Sequence, residues 1–272
     1  MEEDKLLIKS CCADFYRSDI VRLLLGDVLH PGGLELTRHL GEAIALGEAD
    51  MVLDIACGRG ASAIHLATTF GCHVTGLDFS CENLATAVKQ AESAGVSCRT
   101  AFMVGDGERL PFEDGKYDAV ISECSLCIFP DKEIAAGEMA RVLVPGGRIG
   151  ITDMALEGDL PADMQTLLSW VACVGGAASV EEYLSLFDRV GLTNFHVEDN
   201  SQALKAMVAE VRRKLLGVEV AAGLGTLGSS DVDLTGAKEL LKRASRLVDD
   251  RVVGYTLITA EKSRSPVTEE YG

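Results

Sequence analysis

Short apolar runs alternate with amphipathic stretches along most of this chain, and the alternation predicts its architecture. Apolar segments at 51–56, 73–78, 100–105, 117–122 and about 148–153 have strand length and are bounded by turn residues. Between them, 61–69, 81–94 and 131–143 read as helices. Strand–helix repetition of this kind means βαβ units, hence a parallel sheet with helices on both faces. Ahead of it, 13–25 reads as an amphipathic helix, followed by the turn His30-Pro-Gly-Gly33 and a second helix through Leu46. Behind it come helical runs at 161–172 and 179–190 and a short strand near 194–198. Helices at 202–217 and 235–249 then flank a Gly/Ser-rich link, Gly223 to Ser230. The last strand, 252–259, is expected antiparallel beside the fifth, and the tail from Ser263 reads as disordered. No internal repeat is visible.

The first strand runs into a glycine turn, Met51-Val-Leu-Asp-Ile-Ala-Cys-Gly-Arg-Gly60. Gly58 and Gly60 would let the backbone pass close to a ligand. The turn falls outside the carboxyl end of a strand, where open α/β sheets bind ligands. Gly58-x-Gly60-x-x-Ala63 fits a dinucleotide fingerprint, and Asp78 lies 78 − 54 = 24 residues after Asp54, near the ~20 expected of a ribose-binding acid. Asp54 points elsewhere: inside the turn it would repel a pyrophosphate and attract an ammonium group. Asp106, after the third strand, can accept a hydrogen bond from an adenine amino group. Three acids at successive strand ends suit a cationic adenosine ligand better than NAD.

The chain has 272 residues, enough for one large α/β unit with a sizeable core. Its net charge of 25 − 42 = −17 argues against nucleic acid or an anionic membrane as partner. No apolar run reaches the ~18 residues of a transmembrane candidate, and the start lacks a signal-peptide pattern, so a cytoplasmic location is expected. Nine cysteines without an export signal disfavour a disulfide framework. Cys57, Cys72, Cys81 and Cys98 read as structural. Cys124-x-x-Cys127 is a single pair, too little for a zinc ribbon.

Four separated segments then fall together: Val52-Leu-Asp-Ile-Ala-Cys-Gly-Arg-Gly60, Gly105-Asp-Gly-Glu-Arg-Leu-Pro-Phe112, Tyr117-Asp-Ala-Val-Ile-Ser122 and Glu138-Met-Ala-Arg-Val-Leu-Val-Pro-Gly-Gly-Arg-Ile149. In order and spacing they resemble the class I S-adenosylmethionine-dependent methyltransferases. The resemblance covers roughly 50 to 155. It implies a Rossmann-like, seven-stranded, mostly parallel sheet with helical N-terminal and C-terminal additions. The organisation expected is a helical cap (1–48), a cofactor-binding core (49–200), a helical hairpin with a final strand (201–262) and a flexible tail (263–272). S-adenosylmethionine is then the cofactor, with Asp54, Ala56, Gly58, Gly60, Asp78, Phe79, Asp106, Gly107 and Glu123 expected at its site. A small molecule is the expected substrate; oligomeric state is not legible. A dehydrogenase or a non-catalytic adenosylmethionine binder is the remote alternative.

The loop after the fourth strand reads Ser122-Glu-Cys-Ser-Leu-Cys-Ile-Phe129, unlike the Asn/Asp-Pro-Pro-aromatic of nucleic-acid amine methylation. With Ala172-Cys-Val-Gly-Gly-Ala177, it resembles the two substrate thiols of arsenite methyltransferases. That resemblance makes Cys124 and Cys173 the acceptor ligands, since thiolates hold soft metalloids and leave the arsenic lone pair to attack the methyl group in line. The family's N-terminal Tyr-Tyr-Gly-Cys is missing; Cys11 or Cys12 could supply a third thiol. The competing reading makes both cysteines small linings of an organic-acceptor pocket, for a quinone precursor or a thiol. Phe15 and Tyr16 could close over the cofactor or pack their helix. His30 is read as a turn residue rather than a lining of the substrate mouth, Trp170 as lid core rather than a substrate platform, Arg59 as solvated rather than meeting the methionyl carboxylate, and Glu123 as orienting an acceptor or raising the neighbouring thiol.

Overall fold

Seven strands form one sheet in the order β3-β2-β1-β4-β5-β7-β6. The computed structural model describes residues 2–17, 19–161, 173–223 and 234–264. β1 (Met51–Ile55), α4 (Ala61–Phe70), β2 (His73–Asp78), α5 (Cys81–Ser93) and β3 (Thr100–Val104) form the first half. β4 (Tyr117–Glu123), α6 (Lys132–Val142) and β5 (Leu143–Leu156) continue it. α7 (Val180–Arg189), β6 (Leu192–Asp199), α8 (Ser201–Gly223), α9 (Leu234–Asp249) and β7 (Val253–Lys262) complete the chain. β1 to β5 are parallel, and β7 runs antiparallel between β5 and β6. The expected class I methyltransferase sheet is therefore present, with its last strand beside the fifth.

The strands are apolar on both faces because helices cover both. Val52, Ala119 and Ile121 pack with Leu36, Leu40 and Leu66 on one side; Leu53, Val120 and Ile149 pack with Met139 and Phe187 on the other. Leu53 is fully buried, so Leu53→Ala costs about 2–5 kcal/mol through lost transfer energy and a cavity. Helix starts are fixed by side chains: Ser80 Oγ accepts the Asn83 amide at 3.2 Å, and Ser179 with Glu182 forms a reciprocal capping box.

Three boundaries differ from the sequence reading. The single helix expected at 13–25 is two, α1 (Glu2–Arg17) and α2 (Asp19–Leu25). α1 starts earlier because ion pairs from Lys5 to Asp131 and from Lys9 to Asp106 and Glu108 hold its polar half, which local periodicity does not reveal. α3 spans Gly33–Ala43 and stops short of Leu46, where Ala45 turns left-handed. β5 is longer than expected because nine of its residues, Arg148 to Leu156, pair with β7. The expected helix at 161–172, most of the Gly/Ser link and the tail from 265 lie outside the described residues. No helix among the described residues is long and apolar enough to cross a membrane.

Candidate active site

The carboxyl ends of β1, β2 and β4 open into a cavity of about 820 Å³, and a second cavity of about 360 Å³ adjoins it. Ala56 and Gly58 line both, as does Glu123. The turn is held from β2: the Cys57 amide donates to the Leu77 carbonyl at 3.0 Å and the Gly58 amide to Asp78 Oδ2 at 2.8 Å. Ala56 carries a φ of 59°, a left-handed strain of the sort found at binding sites. Gly58 behaves as expected at the cavity wall. Gly60 does not: it lines neither cavity, and a Cβ there would meet Ala87 Cβ at 2.7 Å and the Phe102 ring at 2.9 Å. Its absent side chain lets the turn pack on α5 and β3.

Asp78, Phe79, Asp106 and Gly107 line the larger cavity, and Asp54 lines the smaller. Burial, then the carboxylates of Glu123 and Asp78, holds Asp54 well above the usual carboxylate range. Its Oδ2 is buried without a hydrogen-bond partner. Burial likewise raises Asp78, although amides of Ser80 and Gly58 offset part of the effect. An acid cluster with an orphaned oxygen is short of a cation, and the ammonium of a methionyl group meets that need. Asp106 is not waiting for a partner: Lys9 Nζ lies 2.9 and 2.7 Å from its two oxygens.

Glu123 turns away from the neighbouring thiol. Thr37 Oγ1 donates to it at 3.0 and 3.2 Å, and His30 Nε2 lies 3.5 Å away. His30 is thus a buried partner of the acid cluster, near Ser62 Oγ at 3.3 Å, as well as a turn residue. Arg59 is not solvated: it is 4% exposed, and its guanidinium donates to the carbonyls of Gly26 and Tyr16. It ties the glycine turn to the end of α1.

The other end of the larger cavity is lined by thiols. Cys124 lines it, directly after β4, with a φ of 54° and its amide 2.6 Å from the Thr152 carbonyl. Cys173, φ 64°, packs behind it with Sγ 3.6 Å from the Cys124 carbonyl. Hydrogen bonding with Cys124 and Cys127, and then with Tyr16, holds Cys173 well below the usual thiol range although burial opposes the shift. The Tyr16 hydroxyl is 2.8 Å from its sulfur. For Cys124, the bond from Cys127 pulls downward, but donation to Cys173 and burial outweigh it and keep the thiol protonated. Cys12, on α1, also lines the cavity; burial and the charge of Cys173 push it up to about 12. Cys11 does not line it. Phe15 packs edge-on against Tyr16, which itself faces the cavity. Trp170 lies outside the described residues.

Sequence reasoning missed Cys127 and Asp153 here. Cys127 is fully buried, and its amide donates to Asp153 Oδ2 at 3.0 Å. Burial raises Asp153 to about 6. The Cys-x-x-Cys spacing is the available signal, but taken locally it reads only as half of a zinc site. Among the described residues no group of His, Cys, Asp and Glu side chains is set to hold a metal ion.

A Rossmann-like sheet with an acid-lined cavity at its switch edge defines the S-adenosylmethionine-dependent methyltransferase class. The chain belongs to a methyltransferase-domain family whose profile matches residues 46–191. It is 30% identical to methyltransferase GfsG of Streptomyces halstedii, over 87% of this chain and 82% of that protein. It is 29% identical to the 27-O-demethylrifamycin SV methyltransferase of Amycolatopsis mediterranei, over 90% and 93%. In fold it is similar to Haemonchus contortus phosphoethanolamine N-methyltransferase 2, solved with S-adenosyl-L-methionine. The TM-score is 0.79 at 20% identity, covering 94% of this chain and 60% of that one. Its methyl donor is S-adenosylmethionine, and the dehydrogenase alternative falls away.

Proposed function

We propose that this enzyme methylates a thiophilic small-molecule acceptor, with trivalent arsenite as the simplest case, held by Cys124 and Cys173. The observation that carries the reading is the convergence of two distant thiols, Cys124 at the wall of the larger cavity and Cys173 packed behind it with its sulfur 3.6 Å from the Cys124 carbonyl. A thiolate is a soft ligand, matched to a soft centre. S-adenosylmethionine supplies a sulfonium methyl for an acceptor lone pair to take, the bonding electrons remaining on the thioether. The chain's own residues position and neutralise: Asp54 and Glu123 meet the ammonium, Asp78 the ribose hydroxyls, and Ala56, Gly58, Phe79 and Gly107 shape the cavity. Asp106 would accept from the adenine amino group once it shares its carboxylate with Lys9. An acceptor with a ready lone pair needs no general base, so this function asks only for positioning and exclusion of water.

A second reading has an organic hydroxyl as acceptor. It is favoured by the relatives, one of which is named for O-demethylrifamycin. One experiment separates the two: incubate the protein with labelled S-adenosylmethionine and glutathione, with and without arsenite, and separate the products. Labelled methylarsenicals support the first reading; no arsenite-dependent product sinks it and leaves the hydroxyl acceptor.

A further inference from the structure

Glu123 lines both cavities, and its side chain is only 3% exposed. A carboxylate so buried is costly unless donors meet it. Among the described residues one group does so within hydrogen-bond distance, the Thr37 hydroxyl, at 3.0 and 3.2 Å from the two oxygens. His30 Nε2, at 3.5 Å, is past the usual N–H···O length. Thr37 is itself fully buried, and its hydroxyl has a second acceptor in reach, the Gly33 carbonyl one helical turn back, at 3.5 Å. The carboxylate is both nearer and charged, so it takes the hydrogen. The chain delivers Thr37 by an abrupt turn. Gly32, φ 83°, has no room for a side chain: a Cβ there would lie 2.6 Å from Leu36 Cβ. α3 therefore starts directly after the turn, and its second turn brings Thr37 to the end of β4 while Leu36 and Leu40 enter the core. Packing alone does not ask for threonine here, since valine has the same shape and no hydroxyl to satisfy.

We infer that Thr37 is a positioning residue for the methyl donor: it holds the Glu123 carboxylate at the donor end of the cavity, where the methionyl ammonium meets it together with Asp54. This rests on the donor placement in the proposed function and names what fixes half of it. The two acids are held differently. Asp54 Oδ2 has no hydrogen-bond partner and is open to the ammonium. Glu123 stands at a junction, lining the larger cavity with Cys124 and the smaller one with Asp54. Without its donor it would take up a proton or turn into the larger cavity, and either change removes a carboxylate from the ammonium. With its donor it stays beside Asp54 and leaves the space for methyl transfer clear. One hydrogen from Thr37 does not saturate it: a carboxylate has about four lone-pair sites, so room remains for an ammonium N–H.

The test uses the full-length protein and two ligands titrated by calorimetry, S-adenosylhomocysteine and its analogue lacking the amino group. The ratio of the two affinities reports what the ammonium contributes. Thr37→Val keeps the shape and removes the hydroxyl. It should cut the ratio by about tenfold or more, nearly all of it through weaker S-adenosylhomocysteine binding. Thr37→Ser returns the hydroxyl and should keep the ratio within about threefold of wild type. A threonine that only packs gives the reverse: valine closer to wild type than serine, with both ligands weakened alike. That result overturns the proposal, as does an unchanged ratio in Thr37→Val. Glu123→Gln separates the proposal from the reading it rests on. A smaller ratio in Glu123→Gln but not in Thr37→Val overturns the positioning role alone; an unchanged ratio in Glu123→Gln overturns the donor placement with it. If Thr37→Val does not fold, Thr37→Val/Glu123→Gln decides, because it leaves no buried carboxylate without a donor. Its S-adenosylhomocysteine affinity should match that of Glu123→Gln within about threefold. A further loss of about tenfold means that Thr37 acts apart from Glu123, and the proposal falls.

Discussion

The two ends of the cofactor cavity are opposite solutions to crowding ionisable groups at strand ends. At one end Asp54, Asp78 and Glu123 face one another, and an Asp54 oxygen has no donor. That end is incomplete without a cation. At the other end Cys124, Cys127 and Tyr16 gather around one sulfur, that of Cys173, with the Tyr16 hydroxyl 2.8 Å from it. The acid end would attract a ligand by charge; under the proposed function the thiol end would exchange its hydrogen bonds for bonds to a soft centre. The proposed function divides along the cavity, with donor recognition at one end and acceptor recognition at the other.

Substitutions confined to one end should leave the other intact. The largest effect is expected at the thiols. Cys124→Ser or Cys173→Ser should lower arsenite methylation by about a hundredfold or more, because a hard hydroxyl is a poor ligand for a soft centre. S-adenosylhomocysteine affinity, read by calorimetry, should stay within about twofold if the two ends are independent. Cys98→Ser, at an exposed position, should do neither. A cysteine variant that lost cofactor affinity as well would break the comparison.

The thiol end also carries a pH signature. Asp153 has a folded pKa of about 6 against an ordinary value of 3.8. A raised carboxyl stabilises the fold fully below its ordinary pKa, and that stability is lost as pH rises through about 6. Asp153→Asn does not ionise. Between about pH 4 and pH 7 its stability should therefore gain on the wild type by roughly 3 kcal/mol, read from urea midpoints across pH. A flat difference would place the cost of that buried charge elsewhere.

Asp54→Asn tests the acid end. It removes the charge meant for the ammonium and should weaken S-adenosylmethionine binding by about 1–3 kcal/mol. It also relieves repulsion from Glu123 and Asp78, so the ligand-free protein should melt higher. Weaker binding with higher stability marks a site strained for function; a loss of both would make Asp54 merely structural.

How much of this was legible depended on whether the signal was local. The sheet and the acid series were readable because each strand and its terminal carboxylate are adjacent in sequence: Asp54 on β1, Asp78 on β2. Gly60 was readable as special but not for its reason, since Ala87 and Phe102, which crowd it, come from later segments. Arg59 is legible only wrongly, and His30 only as a turn residue, for the same cause: their partners, Tyr16, Gly26 and Glu123, are distant along the chain. Cys124 and Cys173, 49 residues apart, could be paired only through a family resemblance. Cys127 needed the fold, because nothing in a Cys-x-x-Cys spacing says that a third sulfur arrives from after β5.

The smallest effect tests the element that spans both ends. α1 carries Lys9 onto Asp106 and Glu108, and further along carries Cys12 and Tyr16 to the thiols. The bonds to the two acids outweigh burial and raise the Lys9 pKa, so the pair holds through neutral pH. Lys9→Ala removes that tie. The Asp106 side chain is 33% exposed but that of Glu108 only 8%, so the stability lost should be about 1 kcal/mol and should shrink only in part with added salt. Cofactor affinity then records two opposed changes: Asp106 regains its carboxylate for an adenine amino group, while α1 closes less firmly over the cavity. A net change of less than about threefold is expected, in either direction. Hydrogen exchange separates the contributions, since amides of α1 should exchange faster in Lys9→Ala than in wild type without ligand, and the gap should narrow when S-adenosylhomocysteine is bound. If α1 exchanges at the wild-type rate, Lys9 does not hold the helix, and the two ends of the cavity are coupled by some other contact.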